Sequence, residues 1–177
     1  MSFSTKEITN SAIFTAFICI MSLISLPVGT IPVTLSLFAI MLVPILVGKK
    51  CGLLSVLIYL FLGAVGLPVF SGFKGGIQIL FGPTGGYLWS YIFIAYILGK
   101  FSDNIYSDTT KTVLKTAIIC FLCLVLCYLL GTIQYSLVTG TAFRYAIFFG
   151  GLIFLPFDII KVILVSILGT TIKKRIL

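Results

Sequence analysis

The sequence predicts an all-α membrane protein: a compact bundle of six transmembrane helices, both termini cytoplasmic, with a glycine-rich external loop between the third and fourth helices. Three observations carry that reading. Hydrophobic residues make up 60% of the chain and charged residues 9%, with a mean hydropathy of +1.26, whereas soluble domains are usually about 45–50% apolar. Apolar stretches recur at or near the roughly 20 residues that a helix needs to cross hydrocarbon, tilt helping the shorter ones. The basic residues gather in alternate connections, as they do where short cytoplasmic loops collect Lys and Arg.

The six spans run from Ile8 to Leu26, Val33 to Gly48, Cys51 to Gly66, Thr84 to Phe101, Thr112 to Ser136, and Gly151 to Ile172. Starting inside, the cytoplasmic set is Lys6, Lys49, Lys50, Lys100, Lys111, Lys115, Lys173, Lys174 and Arg175; outside stand only Lys74 and Arg144, and Lys161 falls within the last span, which accounts for all 12 basic residues. The net charge of +8 is then a topology signal facing anionic lipid and does not call for nucleic acid. So little chain remains outside the bilayer that residues 1–177 are expected to form a single integral membrane domain.

Lys6 ahead of a long apolar run resembles the start of a signal peptide, but no small-x-small cleavage site follows, so the first helix is expected to be retained. The five cysteines fall in or at the edge of spans, with no histidine to complete a zinc set; they read as buried, inert thiols, Cys120-x-x-Cys123 included. No phosphate-binding G-x-x-x-x-G-K-[ST] loop is present, so the chain does not hydrolyse ATP by that route. Ser102 to Thr110 reads as a polar cytoplasmic turn.

Three external connections remain: Pro27 to Pro32, Leu67 to Pro83, and Val138 to Phe149. The second is dense in glycine and broken by proline. Irregular backbone has no water to bond in lipid, so this segment is expected to line a cavity, a cap or a binding site. The sixth span places Asp158 and Lys161 three residues apart, on one helical face. Each charge within a span costs roughly 2.5–3.5 kcal/mol on insertion scales. A snorkelling lysine paired with a carboxylate at a helix start is one explanation; a polar floor for an amphiphilic ligand is the other. Lys74 and Gln78 are further polar candidates, and Phe70, Phe73, Tyr87, Trp89 and Tyr91 are candidate apolar walls, although Trp89 and Tyr91 also suit an interface belt. Ala12 and Ala16 form a small-residue strip suited to close helix approach, within the bundle or with a partner.

Taken in order, Pro32-Val-Thr-Leu, Gly63-Ala-Val-Gly-Leu-Pro-Val-Phe-Ser-Gly, Gly75-Gly, Gly82-Pro-Thr-Gly-Gly-Tyr87, Gly131-Thr and Leu155-Pro-x-Asp158-x-x-Lys161 resemble the BioY family. Its members are biotin-specific substrate-binding S components of energy-coupling factor (ECF) transporters. The resemblance implies a six-helix binding protein without ATPase activity that takes up biotin from outside. It also implies a transmembrane coupling subunit and two cytoplasmic ATPases as partners, with ATP used by them and no cofactor in this chain. By the same resemblance Asp158 and Lys161 lie in the biotin site and Ala12 and Ala16 face the coupling subunit; from their residue types and positions, Lys74 and Gln78 are expected to assist, with Phe70, Tyr87 and Trp89 as candidate walls. Phe157 and Ser36 depart from the family pattern, where glycine and glutamine are common, and bear on ligand selectivity. An S component for another small vitamin, an intramembrane enzyme using Asp158 and Lys161 as an acid–base pair, and a simple channel are the alternatives.

Overall fold

The computed structural model describes residues 4–28, 31–103 and 110–176. Helix α1 (Thr5–Leu23) opens on a capping box: Ser4 Oγ accepts from the Glu7 N–H at 3.3 Å while the Glu7 carboxylate accepts from the Ser4 N–H at 2.8 Å, satisfying two of the helix's orphan donors. α1 ends at Leu23, short of the expected Leu26, because the next residues form a two-stranded antiparallel hairpin, β1 (Ser25–Val28) and β2 (Ile31–Thr34). An all-helical reading does not contain this hairpin.

Its register follows from its prolines. Rungs of an antiparallel ladder alternate between bonded and non-bonded pairs, and the Leu35 N–H bonds the Ile24 carbonyl at 3.1 Å. Three rungs on, Pro27 and Pro32 oppose each other on a non-bonded rung, where a missing N–H removes no ladder bond. By the same parity Thr34, opposite Ser25, directs its carbonyl away from its partner strand.

Helix α2 (Ser36–Ala64) is folded back on itself at Gly48, whose φ of 77° and ψ of 179° belong to a region essentially reserved for glycine. A β-carbon on Gly52 would meet the Pro44 Cα at 2.6 Å, although residues eight apart in a straight helix are about 12 Å apart. The two arms match the expected second and third spans, except that the second starts at Ser36, Val33 being in β2. A ladder of small polar residues binds α1 to the second arm: Thr15 Oγ1 donates to the Ser55 carbonyl at 3.1 Å, and Ser55 Oγ to the Ser11 carbonyl at 3.1 Å. These contacts lie on the Ser11, Thr15, Ile18 and Ser22 face of α1, while Ala12 and Ala16 are exposed. The alanine strip therefore does not pack within the chain.

After a glycine-rich segment containing α3 (Ile77–Phe81), the chain continues through α4 (Gly85–Ser102), α5 (Thr110–Thr139), α6 (Phe143–Ile147), a π-helical turn (Phe148–Leu152) and α7 (Leu155–Ile176). The polar turn expected before α5 lies, from residue 104 to 109, outside the described residues. α4 packs against both α2 and α5, and small residues set how closely. A β-carbon on Gly86 would overlap the Leu130 carbonyl, and one on Gly99 would meet the Lys49 Cα at 2.5 Å. By length and composition α2, α5 and α7 are apolar enough to cross a membrane. Cys120, Cys123 and Cys127 are buried free thiols on one side of α5, as expected.

Gly48→Ala tests the reversal of α2. The substitution forces an L-residue into that backbone and sets its β-carbon 2.8 Å from Asp103 Oδ1. The expected cost is about 1–3 kcal/mol, read as a lower thermal unfolding midpoint in detergent.

Candidate functional site

The elements converge on a cavity of about 330 Å³, within the size range of small-molecule sites. Its floor is ionic. Asp158 and Lys161 sit one turn apart at the start of α7, 5% and 7% exposed, and Lys161 Nζ donates to Asp158 Oδ1 at 2.6 Å. Two further groups complete the pair. The Tyr128 hydroxyl, from α5, donates to Asp158 Oδ2 at 2.5 Å, and the Thr34 carbonyl accepts from Lys161 Nζ at 2.7 Å. Pro156 occupies the first turn of α7, where its absent N–H would have no intrahelical partner.

The β-hairpin thus has a chemical role. Thr34 ends β2 on a non-bonded rung, so its outward carbonyl is free to meet the ammonium. Buried charges persist when paired and hydrogen-bonded on all sides, and here α7 supplies the charged pair while the strand and α5 supply one partner each. Carboxylate oxygens each have two lone pairs and an ammonium has three N–H groups. Both Asp158 oxygens therefore retain an acceptor site, and Lys161 has committed two donors among the described residues.

Hydroxyl pairs line the wall nearer α1 and α2. The Ser22 and Tyr59 hydroxyls lie 2.7 Å apart, and those of Ser36 and Tyr91 2.9 Å. Ser36 is therefore built into a buried hydroxyl contact. Phe157 is 47% exposed and lines an apolar groove on the far side of Lys161 with Ile160 and Leu164.

The glycine-rich segment lines another wall of the cavity, termed its roof below. Phe70, Lys74 and Gln78 line the cavity. Phe70 and Lys74 exchange backbone hydrogen bonds at 2.9 and 3.3 Å, and the Phe70 ring stands edge-on to Tyr59 with centroids 5.5 Å apart. Gly63 makes room for that ring, since a β-carbon there would overlap it. Tyr87 lines the cavity and donates to the Gly150 carbonyl of the π-helical turn at 2.6 Å, passing over Gly131, which has no side chain to block it.

Trp89 is not among the lining residues. Two positions beyond Tyr87, it is turned about 200° around α4; it is 37% exposed, and its Nε1 donates to the Leu80 carbonyl at 3.0 Å. That carbonyl also receives the Gln134 amide at 2.9 Å, so Trp89 and Gln134 tie down the end of the roof. Phe73 is likewise exposed and outside the cavity. Sequence reasoning missed Tyr128 and the Thr34 carbonyl. The signal for Tyr128 was a phenol in the middle of an apolar span, since a buried tyrosine usually finds a partner for its hydroxyl.

A sequence profile described as the BioY family matches residues 1–177. The chain belongs to the BioY family. Similar relatives include "Biotin transporter BioY" of Thermotoga maritima, 36% identical over 169 residues, covering 96% of each chain. "Biotin transporter BioY" of Rhizobium etli is 33% identical over 174 residues, covering 94% of this chain and 92% of the relative. A crystal structure of the S-component for biotin from an ECF-type ABC transporter superposes with a TM-score of 0.88 at 30% identity, covering 98% of this chain and 95% of that one. The chain therefore has the S-component fold and is a multi-pass protein of the plasma membrane.

Tyr128→Phe keeps the ring and leaves one buried carboxylate oxygen without its donor. The ligand-free protein is expected to lose about 1–3 kcal/mol of stability, measured by denaturant unfolding in detergent.

Proposed function

We propose that this chain binds biotin outside the cell and delivers it to an ATP-driven ECF module for uptake, acting as the substrate-binding S component. The observation that carries this is the buried Asp158, Lys161, Tyr128 and Thr34 cluster at the floor of an otherwise largely apolar cavity. The protein is a transport component and not an enzyme.

Six spans follow if α1, the two arms of α2, α4, α5 and α7 each cross the bilayer. Both termini are then cytoplasmic, the roof is external, and residues 1–177 form one integral domain. A carboxylate with spare lone pairs suits the N–H groups of a cyclic urea, and an ammonium suits a ligand carbonyl. Phe70 and Tyr87 wall the apolar ring and tail, each Å² buried contributing about 25 cal/mol, while Lys74 and Gln78 act from the roof. Trp89, outside the cavity, supports the roof and does not touch ligand. Ala12 and Ala16, exposed on α1, suit close approach by the coupling subunit. ATP is used by two partner ATPases, and the chain itself needs no cofactor.

Calorimetric titration of biotin into ligand-free, detergent-purified protein tests this. Saturable binding is expected, and Lys161→Ala and Asp158→Asn are each expected to weaken it at least about tenfold, or 1.4 kcal/mol. Unchanged affinity in both variants removes the site assignment. No heat from folded wild type removes biotin as the ligand, and a competition panel of other vitamins then identifies the substrate.

A further inference from the structure

We infer that Ser71 is a ligand-binding residue, its hydroxyl donating to a carboxylate oxygen of the bound molecule beneath the roof. The inference rests on the reading of the cavity as a biotin site and adds a residue and a ligand group to it. Among the described residues, Ser71 Oγ is the buried side-chain polar atom that has no hydrogen-bond partner in the protein, and Ser71 lines the cavity. The surrounding hydroxyls are differently disposed: Ser22, Tyr59, Ser36, Tyr91 and Tyr128 all have protein partners.

Buried polar atoms in folded proteins are nearly always paired, and an unpaired one calls for an explanation. The hydroxyl has essentially no water-accessible surface of its own, so a ligand packed against the turn must offer it an acceptor or leave the group bare. Ser71 therefore discriminates between occupants.

The nature of the acceptor follows from the turn. Phe70 and Lys74 close it through paired backbone hydrogen bonds, so Ser71 and Lys74 belong to one tight reversal and both face the cavity. A hydroxyl donor and an ammonium on the same short turn match an anionic oxygen pair better than a neutral carbonyl. Gly72, with φ of 71°, supports the reversal.

The test compares wild type, Ser71→Ala and Lys161→Ala, titrated with biotin and with biotinol, in which an alcohol replaces the carboxylate. Ser71→Ala is expected to weaken biotin about tenfold and to weaken biotinol, whose alcohol is a neutral acceptor, by clearly less. Its ligand-free thermal midpoint should stay at or above that of wild type, because no protein hydrogen bond is lost. Ser71→Cys, close in volume with a weak donor, repeats the test if the alanine variant does not fold. Unchanged biotin affinity in the serine variants overturns the inference, as does an equal loss for both ligands. Wild type that binds no biotin overturns the proposed function with it, whereas a defect in Lys161→Ala alone leaves that function standing and removes only Ser71.

Discussion

An ion pair inside a membrane protein has to be solvated by the protein itself. Asp158 and Lys161 are one turn apart, and their 2.6 Å contact satisfies each only in part. A carboxylate in low dielectric needs donors on both oxygens, and an ammonium needs more than one acceptor. Tyr128 and the Thr34 carbonyl meet those needs, which fixes where α5 and the β-hairpin must stand relative to α7. The cavity is the space enclosed once those three elements are held by a common charge.

The remaining architecture spaces the walls around that cluster. Gly86 lets α4 reach α5, Gly131 lets Tyr87 reach the π-helical turn, and Gly63 receives the Phe70 ring. Small residues in membrane bundles permit dispersion contacts that hydrophobic burial alone does not drive. Here they also determine how far polar side chains project: Tyr87 reaches the Gly150 carbonyl because no β-carbon intervenes. The Ser11, Thr15 and Ser55 ladder holds α1 in register, so that Ser22, farther along the same face, arrives at the cavity wall.

Much of this was legible in the sequence wherever composition or local spacing decided the matter. Hydropathy located the apolar segments, and the three-residue spacing placed Asp158 and Lys161 together. The density of glycine and proline identified the roof. What was not legible depends on contacts between distant parts of the chain. Tyr128 lies 30 residues from its partner and the Thr34 carbonyl 127 residues from its own, and a backbone carbonyl leaves no mark in residue type. Pro27 and Pro32 suggested a loop, because proline argues against a strand until the rung parity is known. Trp89 was placed by residue type, and the helical period then turned it away.

The groove beyond Lys161 means that very little protein separates the cavity from the surroundings on that side. Val33, Thr34 and Lys161 line both spaces, so the partition between them is a single side chain thick. Its outer surface, formed by Phe157, Ile160 and Leu164, is apolar and half exposed. In a bilayer the medium against that surface is hydrocarbon, and the electrostatic strength of the pair behind it depends on how well acyl chains exclude water there. The lipid annulus then completes a wall that the sequence does not encode.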